Sequence, residues 1–281
     1  MSTKTLIVSG DSFTVPKMHD IAPKPWASYL AEKAEWNIIN VAKRGASNHY
    51  IFNSMIDELE KHRGEDVCAC VLWSEPLRIN LFDSSCVILN SVKYLLNKAQ
   101  NHPEEMTHAH REYVKTNHAI TRKIVDDMKS KYDENFFEIY DKMINHTLRF
   151  FKLFEDYCDH NNIKYSHASC LHPFGDESAF DLLIEPDEDE SLASIEFKKG
   201  LQRIKKSSYY NQLSNSKNYM GFEFSVSDWI RQTKHYISEF SHHPNDLGHQ
   251  KIAEIYYDFI FNNKQPSIEQ DGFMRPVYIY D

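Results

Sequence analysis

Two short stretches near opposite ends of the chain carry side chains that can perform acyl chemistry together. Gly10, Asp11, Ser12 and Phe13 follow closely on the apolar run Leu6-Ile7-Val8. A buried strand that stops at such a turn presents a hydroxyl at the carboxyl end of a sheet, the edge where α/β proteins bind ligands. If a helix begins at Ser12, its free N–H groups and dipole face the oxyanion formed when the hydroxyl attacks an acyl carbon. The second stretch is His242-His243-Pro244-Asn245-Asp246-Leu247-Gly248-His249. Pro244 fits a first helical turn, so His243 just before it is held on a rigid backbone, as a general base must be. Each stretch alone has an ordinary explanation, since Asp and Ser are common turn and N-cap residues and histidines often cap surface helices. Taken together, they imply nucleophilic catalysis in which His243 takes the Ser12 proton.

The elements between these stretches must bring the two ends together. Runs at 5–9, 36–41 and 67–73 read as strands, and the segments around Trp26–Ala34 and through Ile51, Met55, Ile56 and Leu59 read as helices. Strands alternating with helices imply a parallel α/β sheet. From about 84 to 161 the chain turns helical, with Phe136, Phe137, Tyr140, Met143, Ile144, Phe151, Phe154 and Tyr157 in a wide apolar stripe that reads as packed core. Residues 163–170 read as another strand, leading into a turn at His172-Pro173-Phe174-Gly175. The acidic block at 185–190 and the basic block at 198–206 read as a solvated loop and a surface helix. Pro244 opens a final amphipathic helix through Ile252, Ile255, Tyr256, Phe259 and Ile260.

With this order of elements, the Gly-Asp-Ser turn after the first strand and the His-Pro-Asn…Gly-His segment before the last helix resemble the first and last blocks of the SGNH (GDSL) hydrolase superfamily. The resemblance spans nearly the whole chain. It implies a three-layer, flavodoxin-like α/β fold with a central parallel sheet, occupying 1–265 with a helical insertion at about 84–161 and followed by a tail at 266–281. It also implies roles: Ser12 as nucleophile, His243 as base, and the N–H groups of Ser12 and Gly45 as oxyanion donors. The third block departs, because Leu72-Trp73-Ser74-Glu75 stands where the family has Gly, any residue, Asn and Asp. Ser74 is the candidate donor there, and Asn48 is a candidate replacement whose alternative role is a turn or N-cap residue. Losing one well-placed donor costs about 2.7 to 4 kcal/mol of transition-state stabilisation. The last block departs too: the orienting acid expected three residues before the base is Phe240. Glu239 and Asp246 are the candidates to hold the imidazole, Glu239 preferred, with a backbone carbonyl as a further possibility; Asp246 also suits a helix N-terminus.

The remaining composition narrows the function class. Thirty-two basic against 41 acidic residues give a net charge of -9, which disfavours nucleic acid. Five cysteines without framework spacing fit buried thiols in a reducing compartment. Mean hydropathy is -0.58, no run suits a bilayer, and no signal peptide is evident, so a cytoplasmic or particle-associated protein is expected. His243 and His249 would not share a helix face, so a metal site is not supported, and the eight glycines form no phosphate loop, so no cofactor is implied. The expected activity is hydrolysis of an ester, a carbohydrate O-acetyl ester being the favoured substrate. The alternative is a catalytically degenerate module of the same fold that binds a glycan or a partner protein.

Overall fold

Leu6, Ile7 and Val8 have no exposed surface because β1 (Thr5–Gly10) runs through the middle of a parallel sheet covered on both faces. The computed structural model describes residues 4–15, 24–76, 78–81, 85–88, 136–170, 202, 205–222, 224–238 and 241–266. Within them β1 pairs in parallel with β2 (Asn37–Asn40) on one side and with β3 (Val67–Trp73) on the other; β3 pairs in turn with β6 (Lys164–Ser169). The order β2-β1-β3-β6 is the flavodoxin-like one. Single parallel bridges from His167 to Tyr219 and from Ser169 to Ser225 extend it past β6.

Alternation along the strands assigns the faces. Val67, Ala69, Val71 and Trp73 point to a layer made by α2 (Asn48–Lys61) and α3 (Phe136–His160). Cys68, Cys70 and Leu72 point to the opposite layer, made by α1 (Trp26–Ala34), α5 (Val226–Thr233) and α6 (Asp246–Asn262). A shorter helix, α4 (Ser208–Ser214), buries Leu213 in the first layer. The chain is therefore α/β with three layers. Four of its cysteines are free and buried. Phe151 and Phe154 are fully buried against Trp73, so this part of the aromatic stripe is core; the side chains at 136–140 lie outside the described ones. Because α3 lies on the crossover from β3 to β6, it is itself a layer of the scaffold.

Three expectations are corrected. Helical structure was expected from residue 84, but Ser85–Ile88 forms β5, an antiparallel partner of β4 (Arg78–Leu81). Its Val and Ile are β-branched and suit a strand. Pro244 does not open the last helix: it closes β8 (Ser241–Pro244), which pairs with β7 (Tyr236–Ser238). Asn245 is the N-cap instead, its side chain accepting the Gly248 N–H at 2.8 Å. No helix begins at Ser12, because residues 11–15 form a turn. The turn at 172–175, the blocks at 185–190 and, for the most part, 198–206, Glu239 and the tail from 267 onward lie outside the described residues.

Candidate active site

The turn after β1 is built by Asp11. Its Oδ1 accepts the Phe13 N–H at 3.0 Å and its backbone carbonyl accepts the Thr14 N–H at 3.0 Å, which folds the chain tightly around Ser12. Gly10 is needed for the approach: a Cβ there would lie 2.9 Å from Thr14 Cβ and 3.1 Å from the Leu72 carbonyl oxygen. The loop after β2 is tied to the same edge, since Lys43 N–H donates to the Gly10 carbonyl at 3.1 Å and Asn40 Nδ2 donates to the Thr14 carbonyl at 2.8 Å. Gly45 lies on this loop with φ +68°, a left-handed conformation that favours glycine.

At the other end, the β7–β8 hairpin and the N-cap of α6 fix His243. A Cβ on Gly248 would meet the His235 carbonyl at 2.4 Å, so only glycine lets the first turn of α6 approach the backbone just before β7 so closely. Phe13, itself buried, places its ring 5.0 Å from the His243 ring. His243 Nε2 lies 2.9 Å from Ser12 Oγ, and both residues are partly exposed. With Nε2 unprotonated, the Ser12 hydroxyl donates to it, the geometry a general base and its nucleophile require.

No protein-family model and no curated protein sequence matches the chain. Among solved structures, it is similar to an acetyl xylan esterase at 13% sequence identity and a TM-score of 0.38, over 89% of this chain and 96% of that one.

The other candidates separate by their bonds. No described residue accepts from the Ser12 or Gly45 N–H. Asn48 and Ser74 are committed elsewhere: Asn48 Oδ1 accepts the Ser74 N–H at 2.8 Å, and its Nδ2 donates to the Ser74 carbonyl at 2.9 Å and to Thr147 Oγ1 at 3.3 Å. Both amide hydrogens are thereby used, and Asn48 acts as a clamp between α2, the end of β3 and α3. Ser74 Oγ–H donates to Asp11 Oδ2 at 3.3 Å, so its hydroxyl supports the turn instead of facing an oxyanion. Asp246 accepts the Tyr29 hydroxyl at 2.6 Å and the Gln250 amide at 2.9 Å, which ties its carboxylate to α1 and to its own helix.

His249 is structural. Burial pushes its imidazole down to about 4, and the neutral Nδ1 accepts the Trp26 N–H at 3.2 Å. That bond satisfies a free donor at the start of α1, where Pro25 makes no side-chain cap. Among the described residues no group of three or more His, Cys, Asp or Glu side chains is placed to hold a metal ion, and no helix is long and apolar enough to cross a membrane. Sequence reasoning passed over Asp11, which it treated as a turn residue, and Arg78. The buried Arg78 guanidinium lies 3.1 Å from Asp11 Oδ2.

Proposed function

We propose that the chain is a serine-dependent ester hydrolase of SGNH type, with Ser12 as nucleophile and His243 as general base. The 2.9 Å contact between Ser12 Oγ and His243 Nε2, at the carboxyl edge of a parallel sheet, carries this reading. Ser12 Oγ attacks the acyl carbon while its proton passes to His243 Nε2, and the Ser12 and Gly45 N–H groups stabilise the oxyanion. The C–O bond to the alcohol breaks, the alcohol leaving with the proton from His243. Water, deprotonated by the same imidazole, then attacks the acyl-enzyme and releases the acid. Glu239 is the proposed orienting acid.

The proposed substrate is an O-acetyl ester of a carbohydrate. The loop bordering Ser12 carries Lys43 and the exposed Arg44, a polar rim that suits a small acyl group on a hydroxylated alcohol better than a long acyl chain.

The test is hydrolysis of a short-chain aryl acetate by the wild type, Ser12→Ala and His243→Ala, each first shown to melt at the same temperature. Turnover in the wild type with losses of about 10³-fold or more in both variants is the expected outcome. Equal turnover by Ser12→Ala overturns the mechanism. Absence of turnover in all three, extended to acetylated sugars, favours a glycan- or protein-binding module of the same fold.

A further inference from the structure

Asp11 has no exposed surface, and a carboxylate withdrawn from water requires a counter-charge or a set of donors. Arg78 supplies the charge. Its side chain is only 9% exposed, its Nη1 lies 3.1 Å from Asp11 Oδ2, and its Nε–H donates to Glu75 Oε1 at 3.0 Å. Burial opposes the guanidinium charge, but Asp11 and Glu75 outweigh it and hold the group charged, above its ordinary value.

The two oxygens of Asp11 face different tasks. Oδ1 accepts from the Phe13 N–H and so shapes the turn around Ser12, while Oδ2 meets the Ser74 hydroxyl and Arg78 beyond the end of β3. Any shift of the carboxylate towards or away from Arg78 is therefore passed to the residue that follows the nucleophile. A buried ion pair is a poor device for stability alone, because well-packed apolar side chains of the same volume serve as well or better. This pair is also incompletely satisfied: among the described residues Nη1 makes the ionic contact but no hydrogen bond of good angle. What the pair does supply is a fixed position for Asp11.

We propose that Arg78 is a positioning residue for the nucleophile, fixing through Asp11 the turn that holds Ser12 Oγ within hydrogen-bonding distance of His243. The inference rests on the Ser12–His243 reading and adds to it a residue outside both sequence motifs. Arg78 touches neither Ser12 nor His243 in the described contacts, so its removal acts on the rate of the covalent step and leaves substrate affinity unchanged.

The experiment compares wild type, Ser12→Ala, Arg78→Met, Arg78→Ala, Arg78→Lys, Asp11→Asn and the Arg78→Met/Asp11→Asn double variant. The readouts are melting temperature, kcat and KM on an aryl acetate, and the second-order rate of labelling by a fluorophosphonate. In the labelling step the Ser12 Oγ–P bond forms as the P–F bond breaks, and His243 takes the hydroxyl proton. The wild type labels and Ser12→Ala does not. Arg78→Met loses about 10²-fold in labelling rate and kcat, the size of effect expected from misplacing a reacting atom by about 1 Å, with KM within about twofold. Millimolar guanidinium ion restores part of the rate to folded Arg78→Ala, whose truncated side chain leaves room for it, and none to the wild type. Arg78→Lys, which keeps the charge but not the planar fork, falls in between. The double variant is no slower than the slower single variant, because both break one chain of contacts.

Should Arg78→Met fail to fold, Arg78→Lys and Asp11→Asn with their double variant carry the same cycle. Wild-type reactivity in a folded Arg78 variant, additive losses in the cycle, or an absence of guanidinium rescue each overturns the assignment of Arg78 while leaving Ser12 in place. Equal labelling of wild type and Ser12→Ala overturns the nucleophile, and the role of Arg78 with it.

Discussion

His167 and His243 both stand at hydrogen-bonding distance from reactive partners, but in opposite surroundings. His167, on β6, has no exposed surface. Its Nδ1 accepts the Trp73 indole N–H at 2.9 Å and its Nε2–H donates to Glu155 Oε1 at 3.1 Å; the same carboxylate oxygen also accepts the Ser216 hydroxyl. Burial pushes this imidazole down, and Glu155 stays below the usual carboxylate range because hydrogen bonds from His167 and Ser216 outweigh its own burial. The result is a buried imidazole and a buried acid in contact, with both ring nitrogens occupied and the part-buried Ser216 hydroxyl on the same carboxylate. His243 is partly exposed and turns Nε2 to a hydroxyl on a tight turn at the sheet edge. An acid–imidazole pair is thus no mark of catalysis by itself. What separates the two is that a ring nitrogen of His243 faces a partly exposed hydroxyl at the sheet edge.

Exchanging the two histidines for alanine breaks or sharpens that contrast with the largest expected effects. His243→Ala is expected to lose about 10³-fold or more in turnover at unchanged melting temperature. His167→Ala leaves a buried indole N–H unpaired and removes one of the donors to the Glu155 carboxylate, which costs about 1 to 3 kcal/mol of stability for each hydrogen bond left unmade, while turnover per folded molecule stays at the wild-type value. Urea unfolding and active-site titration on the same samples separate the two quantities. The contrast fails if His167→Ala abolishes turnover without lowering stability.

His249 extends the comparison as a histidine used only as a neutral acceptor. Its folded value of about 4 lies below the ordinary 6.5, so the unfolded chain takes up a proton more readily than the folded one. The sign follows: stability from this group is intact above pH 6.5 and is lost as pH falls through about 4, by on the order of 3 kcal/mol. His167 acts in the same direction, and Asp246, which raises His249, and His243, which lowers it, are the charges that act on the ring. Denaturant melts between pH 7.5 and 4 are expected to slope downward, with a shallower slope in His249→Asn, which keeps an acceptor for the Trp26 N–H but does not titrate. Equal slopes would falsify this account.

Much of the scaffold was legible because local pattern and packing agree. The run Val67–Trp73 is a strand at those limits, and Trp26–Ala34 is a helix, since each carries its apolar residues at the period its element requires. Ser12 and His243 stood out because turn chemistry on either side of a strand or helix is encoded within a few residues. Long-range pairing was not legible. The β4–β5 hairpin begins with Arg78, whose role depends on Asp11, 67 positions earlier in the chain, and no local pattern marks it. Asn48 and Ser74 looked like donors for an oxyanion because both residue types suit that task, but each finds the other across the end of β3. Pro244 looked like a helix start because it stands next to the true N-cap, Asn245.

Asp246 offers the smallest and most discriminating effect. It lies three residues after His243, close enough in sequence to act as its orienting acid, yet its oxygens accept from Tyr29 and Gln250. Tyr29 is raised above its ordinary value by burial first and by Asp246 second, so the two groups act on each other. In Asp246→Asn the amide oxygen still accepts the Tyr29 hydroxyl, while the negative charge at the first turn of α6 is lost. The expected cost is about 0.3 to 1 kcal/mol, screened by salt, with kcat within about twofold of wild type. An acid that orients the base behaves otherwise: its amide replacement lowers kcat by about 10⁴-fold through the wrong imidazole tautomer. Measuring kcat for Asp246→Asn beside Glu239→Gln therefore decides which carboxylate, if either, faces His243, because a large loss in one and a twofold change in the other cannot both arise from helix electrostatics.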